Sequence, residues 1–244
     1  MKASSKSILA REFEWRIFIS LGIVAVACTL SAVSASDPVI VHLGRLAGWD
    51  ASASLRGGFL ALAAVMILAS LLRMWAGSEL TARRVMAFKV QTDRLTVSGP
   101  YLIVRNPIYL ADFVAMCAFS LCLSPAGLFM PLLFLLHYTR LITYEEKALG
   151  FHVAYQGYAA SVPRLFPSFR SLLPSTGAPP GALHGALSGF RLSTEGIRHN
   201  ALYILFIPGF VTAAWTGEFI YAACIGLPGV LDWAIIHTRI GIRP

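Results

Sequence analysis

Long apolar runs separated by short polar breaks are the dominant pattern along the chain. Six such stretches stand out, at 16–35, 57–77, 108–123, 126–143, 201–216 and 219–237. A helix needs roughly 20 apolar residues to cross a hydrocarbon core, and the first two runs have that length. The third and fourth are parted only by Ser124-Pro125, which predicts a tight helical hairpin, and the last two are joined through Gly217-Glu218. The pattern therefore predicts an all-α, polytopic membrane protein with five to six transmembrane helices, including one hairpin.

Composition agrees with the pattern. The 244 residues are 57% hydrophobic and only 13% charged, about half the charge of an average soluble domain. Disorder is excluded by the same excess of apolar residues. The net charge of +8 would suit a nucleic-acid partner if it lay on a soluble face, but it does not. Lys and Arg number four in 1–16, five in 77–107, six in 140–200 and two in 238–244. With six spans these four segments share one side, which the positive-inside rule makes cytoplasmic, with both termini inside. Arg45 and Arg56 fall in the first connection on the opposite side, and Arg73 lies near the end of the second span. Ser34-Ala35-Ser36 after the first run resembles a signal-peptidase site, but that run is long for a signal peptide and is expected to remain as an anchor.

The only long cytoplasmic segments are 78–106 and 145–200, and no linker suggests a second folded domain. The stretch 171–188, with Pro174, Pro179, Pro180 and several glycines, reads as a flexible surface loop. Cys28, Cys117, Cys122 and Cys224 sit inside apolar runs without a CxxC pair, against a disulfide framework. The six histidines show neither HxxxH nor HExxH spacing, so no metal site is expected. No GxGxxG motif follows a strand pattern, against a Rossmann-type domain.

Candidate chemistry gathers in two segments. In the first, Gly99-Pro100 sets a turn before Tyr101, and Pro107 suits the first turn of a helix. Arg105 and Asn106 then stand where the third span begins. Unpaired N–H groups there favour an anion, and Arg105 adds a planar donor for a carboxylate or phosphate. A plainer reading is an interfacial Arg with its head in water. In the second segment, Glu145 and Glu146 continue span four onto the same edge. Adjacent helix positions point about 100° apart, so at most one faces a site and the other meets solvent or a basic partner. Arg140 is placed for a lipid headgroup or anionic substrate. Leu149, Tyr155, Tyr158 and Val162 recur at roughly helical spacing, as in an interfacial amphipathic helix.

Taken together, Gly99-Pro100-Tyr101, Arg105, Pro107, Tyr109, Glu145-Glu146, Leu149, Tyr155, Tyr158 and Val162-Pro163-Arg164 resemble the isoprenylcysteine carboxyl methyltransferase and phospholipid methyltransferase group of integral membrane enzymes. The resemblance covers about 93–167. It implies S-adenosylmethionine bound at the cytoplasmic membrane face and a lipophilic or lipidated acceptor arriving from the bilayer. By the same resemblance Gly99, Pro100, Tyr101, Arg105, Asn106, Pro107 and Tyr109 line the cofactor pocket, Glu145 or Glu146 holds its amino or ribose groups, and Arg105, Arg140 and Glu145 are the catalytic candidates. The chain then divides into two N-terminal spans (1–77), a methyltransferase-like core (78–170), a flexible cytoplasmic loop (171–200) and a C-terminal helix pair (201–244).

Three positions depart from the family pattern. Asn106 and Asp93 stand where histidines are expected, and Ala111 replaces a glycine. Asn still donates and accepts hydrogen bonds but takes no proton near neutral pH. Asp112 and Asp232 are the intramembrane acids and functional candidates by position. Asp112 either faces the pocket below Tyr109 or pairs with a Thr or Arg of a neighbouring span, and Asp232 has Arg239 or His237 within reach. Two other readings stay open: an NADPH-dependent membrane reductase of the sterol-reductase type, and a non-catalytic membrane scaffold or small transporter with a degenerate fold.

Overall fold

The computed structural model describes residues 7–80, 95–151, 153–168 and 182–218. Among these residues all regular structure is helical, and three helices are long and apolar enough to cross a membrane: Arg16–Val33, Ala51–Glu79 and Pro125–Leu149. Pro107–Leu121 and Leu202–Thr216 are shorter apolar helices. The sixth apolar run, Asp93, Asp232 and Cys224 lie outside the described residues.

The chain opens with α1 (Ile8–Glu14), capped where Ser7 Oγ accepts from the Ala10 N–H at 3.2 Å, and bends at Trp15 into α2 (Arg16–Val33). Pro38 then starts α3 (Val39–Leu46), a helix inside what the hydrophobic pattern left as a plain connection. It buries Val39, Ile40, Val41 and Gly44 and leaves Leu43 and Leu46 exposed. Eight residues are too few to register as a span, and the amphipathic period is only two turns long.

Helix α4 (Ala51–Glu79) is the centre of the bundle and longer than the apolar run that predicts it. Asp50 explains its early start: its carboxylate accepts from the Ala53 N–H at 2.7 Å, the ordinary role of Asp before a helix. That hydrogen bond lowers the Asp50 pKa. At 1.5 Å per residue, 29 residues span roughly 44 Å, more than the hydrocarbon thickness. Its buried face recurs at helical spacing through Phe59, Leu62, Ala63, Met66, Ala69, Arg73 and Ala76.

The predicted hairpin is present as α5 (Pro107–Leu121) and α6 (Phe129–Leu149) around a short 3-10 turn at Pro125–Gly127. Its polar loop is satisfied by α2. Ser34 donates to Ser124 Oγ at 2.7 Å, and the Ser124 N–H donates to Ser31 Oγ at 2.8 Å. Glu12 of α1 fastens to α6 at His137 (3.1 Å) and Arg140 (2.7 Å), with Phe13 against Tyr144. These contacts bring the N-terminal helix to the Glu145 end of α6.

Two sequence expectations need correction. The spacing of Leu149, Tyr155, Tyr158 and Val162 does not lie on one helix. Helix α6 ends at Leu149, α7 (Val153–Ser161) carries the two tyrosines, and Val162 lies beyond it. Gly150 at the break explains why the period does not run through. The second concerns 171–188 and the wider 171–200 loop. Residues 182–188 form α8 (Ala182–Ser188), and a further helix, α9 (Thr194–Asn200), follows within that loop, capped by Ser193 Oγ on the Gly196 N–H at 2.9 Å. The prolines all precede α8, so they do not interrupt it. It packs on the 3-10 turn Gly99–Leu102 with Ala186 fully buried.

Helix α9 docks on the end of α4 through small residues. A Cβ at Gly77 would sit 2.0 Å from Asn200 Nδ2, and one at Gly196 would sit 2.1 Å from Ser78 Oγ. After α9 a 3-10 turn (Leu202–Phe206) leads into α10 (Ile207–Thr216), whose far end reaches the start of α4, with Arg56 over the Trp215 ring. Gly77→Leu is expected to unseat α9, at a cost of about 1–3 kcal/mol as for overpacked cores. Limited proteolysis in detergent checks this: cleavage within 182–200 should accelerate while the hairpin α5–α6 stays protected.

Candidate functional site

Three segments far apart in the chain converge where α5 begins and α6 ends. The first is the Gly99 turn, where the φ of +56° is a left-handed conformation natural to glycine. The carbonyl of Pro100 accepts from the N–H groups of Ile103 and Val104, which folds Tyr101 inward. Pro107 then starts α5 with its missing N–H at no cost.

The second segment, Pro163-Arg164, lies beside Arg105-Asn106 and is pinned there by a main-chain and a side-chain bond. The Arg105 N–H donates to the Pro163 carbonyl at 2.8 Å. Asn106 stands before the first turn of α5 but does not cap it. Its Nδ2 donates instead to the Arg164 carbonyl at 2.8 Å and reaches Glu146 Oε1 at 3.4 Å. An amide performs this without carrying charge, which is the local use made of Asn at this position.

The third segment is the Glu145-Glu146 pair, and the two carboxylates separate as their helical offset requires. Glu146 faces the cations: Arg164 Nε lies 2.9 Å from Oε2, and Arg105 Nη1 lies 3.4 Å from Oε1. Arg164 is held in turn by Thr143 Oγ1 at 2.6 Å. Glu145 faces α5 and accepts from the Tyr109 hydroxyl at 2.8 Å. Both acids therefore meet protein partners, Glu146 basic ones and Glu145 a phenol.

Tyrosines close the cluster. Tyr158 donates to the Tyr101 carbonyl at 2.7 Å, and Tyr155 lies 3.5 Å from Arg105 Nη1. Burial raises the Tyr101 phenol well above its usual pKa, with Tyr158 and Glu145 adding to it. Burial and the Glu146 carboxylate push Tyr155 up to about 12, and burial also raises Tyr158. These phenols are neutral at physiological pH, so the ion pairs of Arg105 and Arg164 with Glu146 supply the formal charge that the cluster presents.

Other candidates stand elsewhere. Arg140 is five residues before Glu145, about 140° around the helix, and its Nε meets Glu12 on α1 while 43% of its side chain is exposed. It is not part of this cluster. Asp112 pairs with Arg73 of the neighbouring α4 and accepts from the Tyr203 hydroxyl at 2.7 Å, so the second of its two readings holds. Sequence reasoning missed Glu79, an acid at the end of an apolar helix with no motif around it. It also gave Arg164 no role, although a basic residue in the family's tail pattern was a signal that something acidic lay opposite. Among the described residues no group of three or more His, Cys, Asp or Glu side chains is arranged to hold a metal ion.

The region that supplies α4, α5, α6 and the Gly99 turn is the one that known proteins share. Residues 58–152 match the phospholipid methyltransferase family. The match is under half of the chain and contains Arg105, Asn106, Tyr109, Glu145 and Glu146, in agreement with the resemblance read from those residues. It stops short of α7 and of Pro163-Arg164. No curated protein and no solved structure matches the chain.

Proposed function

We propose that the protein is an integral membrane methyltransferase that takes a methyl group from S-adenosylmethionine. Its acceptor is a lipophilic molecule reaching the site from the bilayer, an isoprenylcysteine-like carboxylate or a phospholipid amine. The convergence of Arg105, Glu146 and Arg164 with Tyr109 and Glu145, inside a region matching a methyltransferase family, carries this reading. The distribution of basic residues supports placing the site at the cytoplasmic face with both termini inside.

The donor set suits that cofactor. Its methionine end bears one carboxylate and one ammonium, and the cluster offers guanidinium and carboxylate groups side by side. Arg105 Nε is buried without a hydrogen-bond partner, a donor left over for an incoming carboxylate. Glu145 or Glu146 would hold the ammonium, and the Gly99-Pro100-Tyr101 turn and Tyr109 would line the pocket. When bound, the cofactor supplies an electrophilic methyl group on a sulfonium centre.

The chain's own residues contribute binding, orientation and exclusion of water, which is what an in-line transfer demands. Tyr101, Tyr155 and Tyr158 shield the ionic groups from solvent. A carboxylate acceptor needs no base. For an amine acceptor, the Glu145 carboxylate is the group to take the proton, with Tyr109 holding its orientation.

The test is calorimetry of the detergent-solubilised protein with S-adenosylmethionine. Micromolar binding is expected, together with transfer of a radiolabelled methyl group into one class of a fractionated lipid extract. Absence of binding would overturn the reading, and binding of NADPH in its place would assign the site to a reductase.

A further inference from the structure

Arg105 is only 14% exposed, and its Nε is buried without a hydrogen-bond partner. On the methyltransferase reading a cofactor carboxylate must reach that guanidinium, so whatever covers it has to move. Its neighbours differ in how firmly they are held. Pro107 and Glu146 belong to the packed hairpin of α5 and α6. Pro163-Arg164 is tied to α5 by the Arg105 N–H and to α6 by Thr143 and Glu146. Helix α7, which carries Tyr155 and Tyr158, is the loosest of them.

Most of α7 is exposed, and Tyr155 is its one buried side chain. Two phenols dock it. Tyr155 lies 3.5 Å from Arg105 Nη1, and Tyr158 donates to the Tyr101 carbonyl at 2.7 Å. Their rings meet edge-on, 6.1 Å apart. The nine residues of α7 are too few for a helix to hold its shape alone in water, and a glycine in its middle, Gly157, weakens it further. Packing does not call for that glycine, because a Cβ there would meet no atom within 4 Å. Undocked, α7 therefore melts. It stays tethered at both ends, through Gly150 to α6 and through Val162 to the pinned Pro163.

We propose that α7 is a lid over Arg105, which unwinds to admit the nucleoside methyl donor and refolds over the donor's amino-acid end. This rests on the methyltransferase reading and adds a route of entry to it. The donor comes from the water beyond the end of α6, while the lipophilic acceptor comes from the bilayer, so the two substrates do not compete for one door.

Hydrogen exchange of the full chain in detergent, without ligand, is the first test. The amides of 153–161 should exchange on the order of 100-fold or more faster than those in the middle of α6, as in a locally opening segment, and saturating S-adenosylhomocysteine should slow them. Amides in α7 as slow as those of α6 in the ligand-free protein would overturn the lid.

Stopped-flow binding of S-adenosylhomocysteine is the second. Tyr158→Phe removes a neutral hydrogen bond that closes the lid with or without ligand. It should raise the association and dissociation rate constants together by about two- to tenfold and leave Kd nearly unchanged. Gly157→Ala adds a methyl group in open space and should lower both by about two- to fivefold. That variant stabilises the docked helix, so this arm does not depend on a weakened protein. A change confined to the dissociation rate would make α7 a fixed wall and overturn the lid, as would unchanged rates in both variants, with the methyltransferase reading intact. No binding by wild-type protein would overturn that reading and the lid with it.

Discussion

Arg105→Ala is expected to lower kcat/KM for methyl transfer by about 10²-fold or more, with most of the loss in cofactor affinity. Two effects combine. On the proposed function the cofactor carboxylate would lose its guanidinium partner, and hydrogen bonds to charged groups are worth about 1.5–3 kcal/mol. Glu146 also loses one of its two cations, in a site where Arg105 and Glu146 are only 14% and 17% exposed. Removing one member of such a pair typically costs 2–5 kcal/mol because the other charge is left behind. Arg164, at 2.9 Å, keeps Glu146 from being orphaned, so the protein should still fold. Titration with S-adenosylhomocysteine separates the contributions. A rise in Kd matching the fall in kcat/KM places Arg105 on the cofactor, whereas an unchanged Kd would exclude it from that role. Arg105→Lys should recover part of the affinity, since lysine supplies charge without the bidentate fork.

Asp112→Ala is expected to destabilise the folded protein by about 3 kcal/mol or more, the largest stability effect anticipated for a single side chain here. Arg73 is 5% exposed and depends on Asp112, which also receives the Tyr203 hydroxyl at 2.7 Å. Without the carboxylate, a guanidinium remains uncompensated in an apolar helix bundle and a buried phenol loses its acceptor. At roughly 2–4 °C per kcal/mol for a chain of this size, thermal unfolding in detergent should fall by about 6–12 °C. Combining Asp112→Leu with Arg73→Met and Tyr203→Phe should restore most of that loss, because an apolar replacement of a whole buried ion pair is often neutral. A triple variant no more stable than Asp112→Ala would show that the charges contribute more than mutual neutralisation.

Much of this was legible in the sequence, for identifiable reasons. The hairpin was marked by Ser124-Pro125 between two apolar runs, and the cluster of side chains by Arg105, Pro107, Tyr109 and the Glu pair at telling intervals. What hid the rest was the absence of period. Helix α3 is two turns long, α8 and α9 are seven residues each, and such lengths are set by packing against α4 and the Gly99 turn. Gly150 interrupted a spacing that otherwise looked continuous. Pairing across the bundle was likewise invisible: nothing in the linear order says that Glu12 meets Arg140, or that Tyr203 meets Asp112 ninety-one positions away.

The Arg73–Asp112 contact also bears on how the chain enters the bilayer during synthesis. Arg73 emerges from the ribosome first, on a helix whose lateral transfer an arginine opposes, by about 2.5 kcal/mol or more if it lies near the bilayer centre. Asp112 follows on the next apolar helix, so the two helices can partition as a neutral couple where either alone would carry a charge into lipid. Tyr203 arrives much later and closes over a bond already made. The ion pair thereby couples the entry of α4 and α5, which are expected to form the unit around which the remaining helices assemble.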